Sequence, residues 1–381
     1  MDGPLQREAA EIAERAERDL EALVAISSPS GDVDGAQACV EVVRELSPAG
    51  ATFERVPCSS PGDADDLLVR LHGSGRGRLL LLGHLDTVVA HEQHTPLRRH
   101  GERLVGSGTV DMKGGDVLAL GVLRALAARP QRFAEVALLL VMDEERRIGP
   151  LLHVERFAGW DACLCFEAGE VAGDGSDAVI VRRKAAGTLR VRAHGVAAHA
   201  GAAPDQGRNA LLALAAAAQQ VADAHAPDGP DRLTAVPTVL RSGSAFNVVP
   251  AAGELTCDLR SDRTAAFEEV RALISAKLDG VTLDARLARV WPAMDARDAT
   301  APLLARAAEL LGRPLRANGR GGASDASHFA AAIPLTVDGL GPRGGRAHAP
   351  EEFLLASSLR PRAEVALAVV EAALTLVAPG P

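Results

Sequence analysis

Residues 79–82 are four consecutive leucines, followed by Gly83, His84 and, two residues later, Asp86. An apolar run of this length between polar neighbours predicts a strand that is buried on both faces, as in a parallel sheet. The carboxyl ends of such strands line the ligand crevice of an open α/β sheet. We therefore expect His84 and Asp86 at a crevice, where the histidine binds a metal, transfers protons or only completes a polar strand end.

Two more apolar segments end on acidic residues. Residues 135–142 precede Asp143, Glu144 and Glu145, and residues 162–166 precede Glu167. Between the first two predicted strands, a glycine-rich loop at 106–115 carries Asp111 and lacks the residue order of a phosphate-binding loop. Together these segments predict a carboxylate-rich site with one histidine, although 143–145 taken alone also fit an exposed acidic turn.

Length and composition narrow the class of protein. The chain has 381 residues, which suits two domains, and a formal net charge of −9 without a basic run, which argues against nucleic acid and anionic membranes. No apolar run is long enough to span a bilayer, and residues 1–26 carry charges throughout, unlike a signal peptide. The five cysteines form an odd, sparse set, so we expect reduced thiols and a cytoplasmic location, with Cys163 and Cys165 in a strand core.

The hydrophobic period changes near residue 187 and predicts a second domain. From there, strands with one polar face and two helical segments follow in the order β-α-β-β-α-β, which is the split βαβ or ferredoxin-like arrangement. We expect an α/β protein: residues 1–186 and 297–381 form a catalytic domain with a mixed, largely parallel sheet flanked by helices, and 187–296 form an inserted α+β sandwich. Helices are predicted at 5–26, 36–46, 113–128, 207–225, 264–278, 301–311 and 357–377, and further strands at 234–240, 254–260, 281–290 and 333–337.

The residue types at the predicted site suit two metal ions. Zinc accepts imidazole nitrogen and carboxylate oxygen. Two ions need one bridging carboxylate, and together they bind an attacking water and a carbonyl oxygen. A further carboxylate would take the proton from that water, so the adjacent Glu144 and Glu145 can divide the roles of base and ligand.

The order of these motifs resembles the M20 family of dinuclear zinc peptidases and deacylases, and within it the carboxypeptidase G2-like group of glutamate carboxypeptidases. The resemblance covers nearly the whole chain after the first helix. It rests on the segments 83–86, 106–115, 143–145 and 167, on His348, and on the segment 199–210, which reads HAGAAPDQGRNA.

The resemblance implies a role for each residue of the metal site. Asp111 is expected to bridge two zinc ions, with cobalt or manganese as alternatives, and the peptide bond after it is expected to be cis. Glu144 is expected to be the general base, and Asp86 to orient the imidazole of His84. The remaining expected ligands are His84 and Glu167 for one ion and Glu145 and His348 for the other.

The resemblance also assigns residues in the inserted domain. His199 is expected to stabilise the oxyanion in an active site, which in related enzymes is often that of the partner subunit. The expected homodimer forms through a lid and dimerisation domain at 187–296. Asn247 and Arg260 are expected to bind the substrate carboxylate. Arg146 and Arg147 depart from the family pattern and could bind an additional acidic group. The other histidines are expected at the surface or in loops: His72, His91, His94, His100, His153, His194, His225 and His328.

The expected activity is hydrolysis of an amide bond next to a free carboxylate, with release of an amino acid such as glutamate. The substrate would be a small N-acyl or peptidyl amino acid, and no nucleic acid or membrane is expected as a partner. Alternatives are an N-acyl-amino-acid deacylase similar to acetylornithine or succinyl-diaminopimelate hydrolases, a hydrolase that acts on a glutamate-ended carrier protein, and a catalytically silent metal-dependent binding protein.

Overall fold

The computed structural model describes residues 3–377 and divides the chain into two compact units. The first unit contains the residues up to Arg182, residues 295–319 and the residues from Ser324 onward. The second unit contains residues 183–294 and 320–323. The sequence-based domain assignment places the insertion at 187–296, and its role as a lid and dimerisation domain stays a prediction.

The helices follow the predicted apolar periodicity. In α1, for example, the buried residues Ala9, Ile12, Ala16, Leu20 and Leu23 lie on one face. The prediction at 264–278 is too long, because the helix ends at Ala272. The helices are α1 Pro4–Val24, α2 Val33–Leu46, α3 Lys113–Ala127, α4 Ala210–Asp223, α5 Ala266–Ala272, α6 Arg297–Leu311, α7 Ala326–Phe329 and α8 Leu359–Leu376.

The strands include every segment predicted above, although the prediction at 333–337 shrinks to two residues. The strands are β1 Thr52–Val56, β2 Asp66–His72, β3 Arg78–His84, β4 Arg98–His100, β5 Arg103–Val105, β6 Glu135–Val141, β7 Ala162–Cys165, β8 Glu170–Val171, β9 Asp177–Arg183, β10 Ala185–His194, β11 Ala198–His199, β12 Thr234–Ser242, β13 Val248–Val249, β14 Ala252–Ser261, β15 Lys277–Leu278, β16 Val281–Trp291, β17 Met294–Asp295, β18 Leu315–Arg320, β19 Thr336–Val337, β20 Gly344–Gly345 and β21 Phe353–Leu355.

The main sheet of the first unit is mixed, with the order β1-β2-β6-β3-β7-β19. The leucine strand β3 runs parallel to β6 on one side and to β7 on the other. Its leucines are 0% exposed, which explains why the strand has no alternating polar face. Strands β1 and β2 are antiparallel and are not predicted from the sequence. The central position of β3 places His84 at the carboxyl edge, between the ends of two parallel neighbours.

Helices α1, α3 and α8 pack on one another and contribute to the aliphatic core of the first unit. Cys163 and Cys165 are buried in β7, as predicted. The largest buried cation of α8 is Arg362, which is 0% exposed. It donates hydrogen bonds to the carbonyl oxygens of Gly341 and Ala178 at 3.1 and 3.0 Å. Arg362 therefore joins α8 to β9 and to the loop after β19, where carbonyl groups would otherwise be buried without donors.

The second unit contains a sheet of the order β12-β14-β10-β16-β15, in which the paired strands are antiparallel. Strands β10, β12, β14 and β16 alternate along the chain with α4 and α5 in a split βαβ arrangement. One face of the sheet carries Leu189, Val191, Leu255 and Leu259, which belong to the core of this unit. Within residues 3–377, no helix is long and apolar enough to cross a membrane.

Candidate metal centre

Three parallel strands deliver polar residues to the same edge of the main sheet. His84 is the last residue of β3, Glu144 and Glu145 follow β6, and Glu167 follows β7. Strand β3 pairs with both β6 and β7, so these strand ends are neighbours. The carboxylate-rich site expected from the sequence is therefore present at this edge.

Asp111 lies between two histidines and presents a different oxygen to each. Its Oδ1 lies 3.2 Å from Nε2 of His84, and its Oδ2 lies 3.1 Å from Nε2 of His348. His348 Nε2 is also 3.0 Å from Oε1 of Glu145, and His84 Nε2 is 3.8 Å from Oε1 of Glu167. The peptide bond between Asp111 and Met112 is cis. The arrangement thus contains two groups of potential ligand atoms that share one carboxylate.

The possible ligand atoms are close enough to surround metal ions. In each of two groups, the nitrogen and oxygen atoms lie within 4.8 Å of one another: His84 with Asp111 and Glu167, and His348 with Asp111 and Glu145. A third such group joins His84 to Glu144 and Glu145. Imidazole and carboxylate are zinc ligands, and cobalt and manganese accept them as well. All five ligands expected from the resemblance are together, and their roles stay predictions.

The electrostatics of the cluster also fit a bound cation. Burial raises the pKa of Glu144 to about 7, and burial together with the nearby Asp111 raises the pKa of Glu167 well above its usual value. Burial alone would lower the pKa of His84, but hydrogen bonds to Asp111 and Asp86 raise it well above 6.5. Carboxylates so close together resist ionisation unless positive charge compensates them. Metal ions would supply that charge.

Asp86 contacts the site through backbone groups as well as through His84. The Nδ1 of His84 lies 3.0 Å from the backbone oxygen of Asp86 and 3.4 Å from its Oδ1. The same carboxylate accepts hydrogen bonds from the backbone N–H groups of Glu144 and Glu145, both at 3.1 Å. Orientation of the imidazole by Asp86 stays a prediction, but the turn that carries both glutamates is bonded to Asp86 directly.

The residues assigned to the second unit are described separately. His199 pairs with Val248 in a short ribbon of β11 and β13, and the backbone oxygen of Asn247 accepts a hydrogen bond from Ala200. The structure therefore brings His199 and Asn247 together. Arg260 lies on the polar face of β14, where its Nε and Nη2 donate to the two oxygens of Asp258 at 3.1 and 3.0 Å.

The suggestion that Arg146 and Arg147 bind an acidic group of the substrate is wrong for Arg147. Its side chain is 0% exposed and forms ion pairs with Asp143, at 2.7 Å, and with Asp325. Burial of the arginine in this pair of carboxylates leaves it no access to a ligand. Arg146 is half-exposed, but its Nε donates to Asp63 at 2.9 Å.

His153 lies in a turn, which is one of the two places expected of it, but it is not at the surface. Its side chain is buried, and its Nε2 lies 2.9 Å from Oδ2 of Asp66. Asp66, Cys58 and Asp143 form another compact group of potential ligand atoms. Both carboxylates of this group already have cationic or hydrogen-bonding partners in His153 and Arg147, so the group supports the turn after β6. For His328 the expectation of a surface or loop position is wrong, because the residue is buried within α7.

Sequence reasoning missed Glu352, which is 2% exposed and accepts hydrogen bonds from the backbone around Asp111. The only signal in the sequence was an acidic pair, Glu351 and Glu352, shortly after His348. A loop has no regular hydrophobic period that separates buried from exposed positions. The sequence therefore does not distinguish the buried Glu352 from the exposed Glu351.

Comparison with known proteins is consistent with this geometry. Residues 80–372 match the model of peptidase family M20/M25/M40. Carboxypeptidase G2 of Pseudomonas sp. (strain RS-16) is 27% identical over 358 residues, which cover 90% of this chain and 85% of that protein. Succinyl-diaminopimelate desuccinylase of Stenotrophomonas maltophilia is 29% identical over 349 residues, or 86% and 91% of the two chains. The crystal structure of aminopeptidase PepT from Bacillus cereus superposes with a TM-score of 0.77 at 20% identity and covers 95% of this chain and 98% of that one.

Metal binding is predicted to release protons. Hydrogen bonds to Asp111 and Glu145 raise the pKa of His348 to about 10, so the free site holds a protonated imidazole at neutral pH. A metal ligand must be a neutral imidazole, and affinity should therefore rise as the pH rises toward that pKa. Isothermal titration with zinc at pH 7.5, in two buffers of different ionisation enthalpy, counts the released protons. The His348→Ala variant should release fewer, and equal counts in both proteins would contradict the assignment.

Proposed function

The chain belongs to peptidase family M20/M25/M40, and from this membership and its site we propose a dinuclear zinc hydrolase that releases an amino acid by cleaving an amide bond next to a free carboxylate. The observation that carries the proposal is the position of Asp111, whose two oxygens face His84 and His348 at 3.2 and 3.1 Å. A bridging carboxylate needs this geometry, because one carboxylate has to serve two ions.

Each residue of the site has one proposed role. His84 and Glu167 would hold one zinc ion, Glu145 and His348 the other, and Asp111 would bridge them. When bound, the ions would polarise the scissile carbonyl group and make water a stronger acid. Glu144 would take a proton from the attacking water and give it to the leaving amine. A pKa raised to about 7 by burial suits a carboxylate that both accepts and returns a proton near neutral pH.

We propose that His199 stabilises the developing oxyanion by donating a hydrogen bond. Its Nδ1 accepts hydrogen bonds from the backbone N–H groups of Gly201 and Ala202, both at 3.1 Å. In a neutral imidazole this leaves the proton on Nε2, which is the donor that the role requires. The side chain is exposed and so accessible to a ligand.

The substrate class follows from the relatives and from one side chain. Two relatives are a carboxypeptidase and a desuccinylase by name. We propose a glutamate-type carboxypeptidase first, with Arg260 and Asn247 binding the substrate carboxylate, since a guanidinium fork matches a carboxylate in two hydrogen bonds. Arg260 already binds Asp258 in that manner. The desuccinylase relatives favour an N-acyl-amino-acid deacylase as the second candidate.

A release assay tests the activity. The purified protein should liberate amino acid from N-acylated or peptidyl glutamate, and chelation should abolish the reaction until zinc, cobalt or manganese is returned. A panel with N-succinyl and N-acetyl amino acids separates the carboxypeptidase from the deacylase. Full activity after exhaustive chelation would refute the metal mechanism.

The roles of the adjacent glutamates can be separated by matched substitutions. Glu144→Gln keeps the size of the side chain but cannot accept a proton, so the rate should fall by roughly 10²–10⁴-fold while metal content stays normal. Glu145→Gln should lose metal as well as activity. Metal analysis beside kcat measures both effects, and the opposite pattern would mean that the two roles are reversed.

We propose a homodimer that forms through the second unit. Strand β12 is at the edge of its sheet and carries exposed Val239 and Leu240, while Leu212 of α4 is 65% exposed. Unpaired edges with apolar side chains favour association. Light scattering should give twice the mass of the chain, and Val239→Lys should give the mass of one chain. A fully active wild-type monomer would exclude both the dimer and any role of His199 in a partner subunit.

The proposed contact between Arg260 and the substrate predicts a selective loss. Converting the terminal carboxylate of the substrate to an amide should lower kcat/KM at least tenfold, which is about 1.4 kcal/mol. Arg260→Ala should then impair hydrolysis of the acid much more than of the amide, because the amide does not use the guanidinium. The control is Arg192→Ala, which removes another arginine of the same unit, bonded to Glu254 at 3.0 Å. Equal loss for both substrates would show that Arg260 only supports its own domain.

A further inference from the structure

Glu352 is a buried carboxylate that belongs to neither group of metal ligands, yet it is bonded to the turn that carries Asp111. Its Oε1 accepts hydrogen bonds from the backbone N–H groups of Val110 and Asp111 at 2.7 and 2.9 Å. Its Oε2 accepts one from the N–H of Gly108 at 2.9 Å. One side chain therefore occupies three backbone donors within four consecutive residues.

The position of this carboxylate is set by a strand pair. Strands β5 and β21 are antiparallel, with Val105 opposite Phe353. The next residues outward are Gly106 and Glu352, and the N–H of Gly106 donates to the backbone oxygen of Glu352 at 3.1 Å. The backbone and side chain of Glu352 together bind the turn at 106–111 to the segment just before β21.

That segment also carries His348, so Glu352 connects two ligands of the same proposed ion. His348 lies four residues before Glu352, is 53% exposed and has a φ of 67°, in the left-handed region that few non-glycine residues adopt. Its loop contains no long element to hold it. The hydrogen bonds of Glu352 are the direct link between this loop and the backbone N–H of Asp111.

We propose that Glu352 is a positioning residue that fixes Asp111 and His348 relative to one another and thereby sets the affinity for the ion they share. The inference rests on the proposed dinuclear centre. A carboxylate suits this place because both oxygens accept from backbone amides and neither has to donate. A glutamine would keep the shape but turn an NH₂ group toward at least one backbone N–H, leaving a buried donor without an acceptor.

Metal titration of a matched pair of variants tests the proposal without any substrate. Glu352→Gln should weaken binding of one ion by about 10–100-fold, the range seen when residues that orient metal ligands are removed. Glu351→Gln is the control, because the neighbouring side chain is 66% exposed and bonded only at the surface, to Arg346. It should bind both ions as the wild type does. Competition with a chromophoric chelator gives both constants, and the absorption spectrum of the cobalt-loaded protein reports the geometry of the weakened site.

Hydrogen exchange supplies a readout that does not depend on metal. In the metal-free wild type, the amides of Gly108, Val110 and Asp111 should be protected, and Glu352→Gln should expose them while Glu351→Gln does not. Rapid exchange of these amides in the wild type would overturn the proposal even if Glu352→Gln does not fold. The Glu352→Asp variant keeps the charge, but its side chain is one methylene shorter, so it should also weaken the binding of one ion.

The outcomes separate this inference from the proposed function. If the wild type binds two ions but hydrolyses no acylated amino acid, the proposed function fails. The titration still measures the effect of Glu352→Gln on metal affinity. If the wild type is an active hydrolase and Glu352→Gln retains both affinities, the positioning role alone is refuted. Equal weakening of the binding of both ions, together with a lowered Tm of the metal-free protein, would show that Glu352 has a general structural role. That result would also refute the positioning role.

Discussion

The crowding of carboxylates at one sheet edge is the constraint on which the site depends. Glu144, Glu145 and Glu167 meet there because β6 and β7 run parallel to β3 and end beside it, and the loop before α3 brings Asp111 to them. Like charges at such distances are unfavourable in a buried environment, and burial together with the nearby Asp111 raises the pKa of Glu167 well above its usual value. The strands can hold this arrangement because their leucine, valine and alanine side chains are buried on both faces of the sheet. A stable aliphatic core thus maintains a polar edge that would not assemble alone.

Two further carboxylates hold the backbone of this edge. Asp86 accepts hydrogen bonds from the N–H groups of Glu144 and Glu145, and Glu352 accepts three from the turn of Asp111. Each turn therefore carries proposed metal ligands, while its backbone N–H groups donate to a buried carboxylate. Partial positive charge on several amides compensates a buried carboxylate, as at an anion-binding nest. The proposed ligands thus lie on turns whose backbone is held by buried carboxylates, and regular secondary structure contributes only the strand ends.

Much of the fold, and the grouping of the proposed metal ligands, could be predicted from the sequence, because a buried parallel strand and its polar end are local signals. The apolar runs identify β3, β6 and β7, and the residues after them identify His84, Glu145 and Glu167. His348 has no such signal in its Gly-rich loop, and only the order of family motifs indicates it as a ligand. Contacts between distant segments were not predictable: the carboxylate partners of Arg147 lie four and 178 residues away, and His153 meets Asp66 across 87 residues. From the sequence alone a charged residue is therefore expected at the surface. Only the folded structure shows that a buried partner of opposite charge is present.

The environment of this edge shifts the pKa values of Asp111 and Glu144 in opposite directions. Burial would raise the pKa of Asp111, but hydrogen bonds from His348 and His84 hold it well below its usual range. For Glu144 burial is the largest influence, and the neighbouring carboxylates add to it, so its pKa rises to about 7. Environments that separate the pKa values of neighbouring acids are how a site assigns different roles to one residue type. The carboxylate bonded by both imidazoles stays ionised and suits a bridge between cations. The carboxylate dominated by burial exchanges protons near neutrality and suits the base.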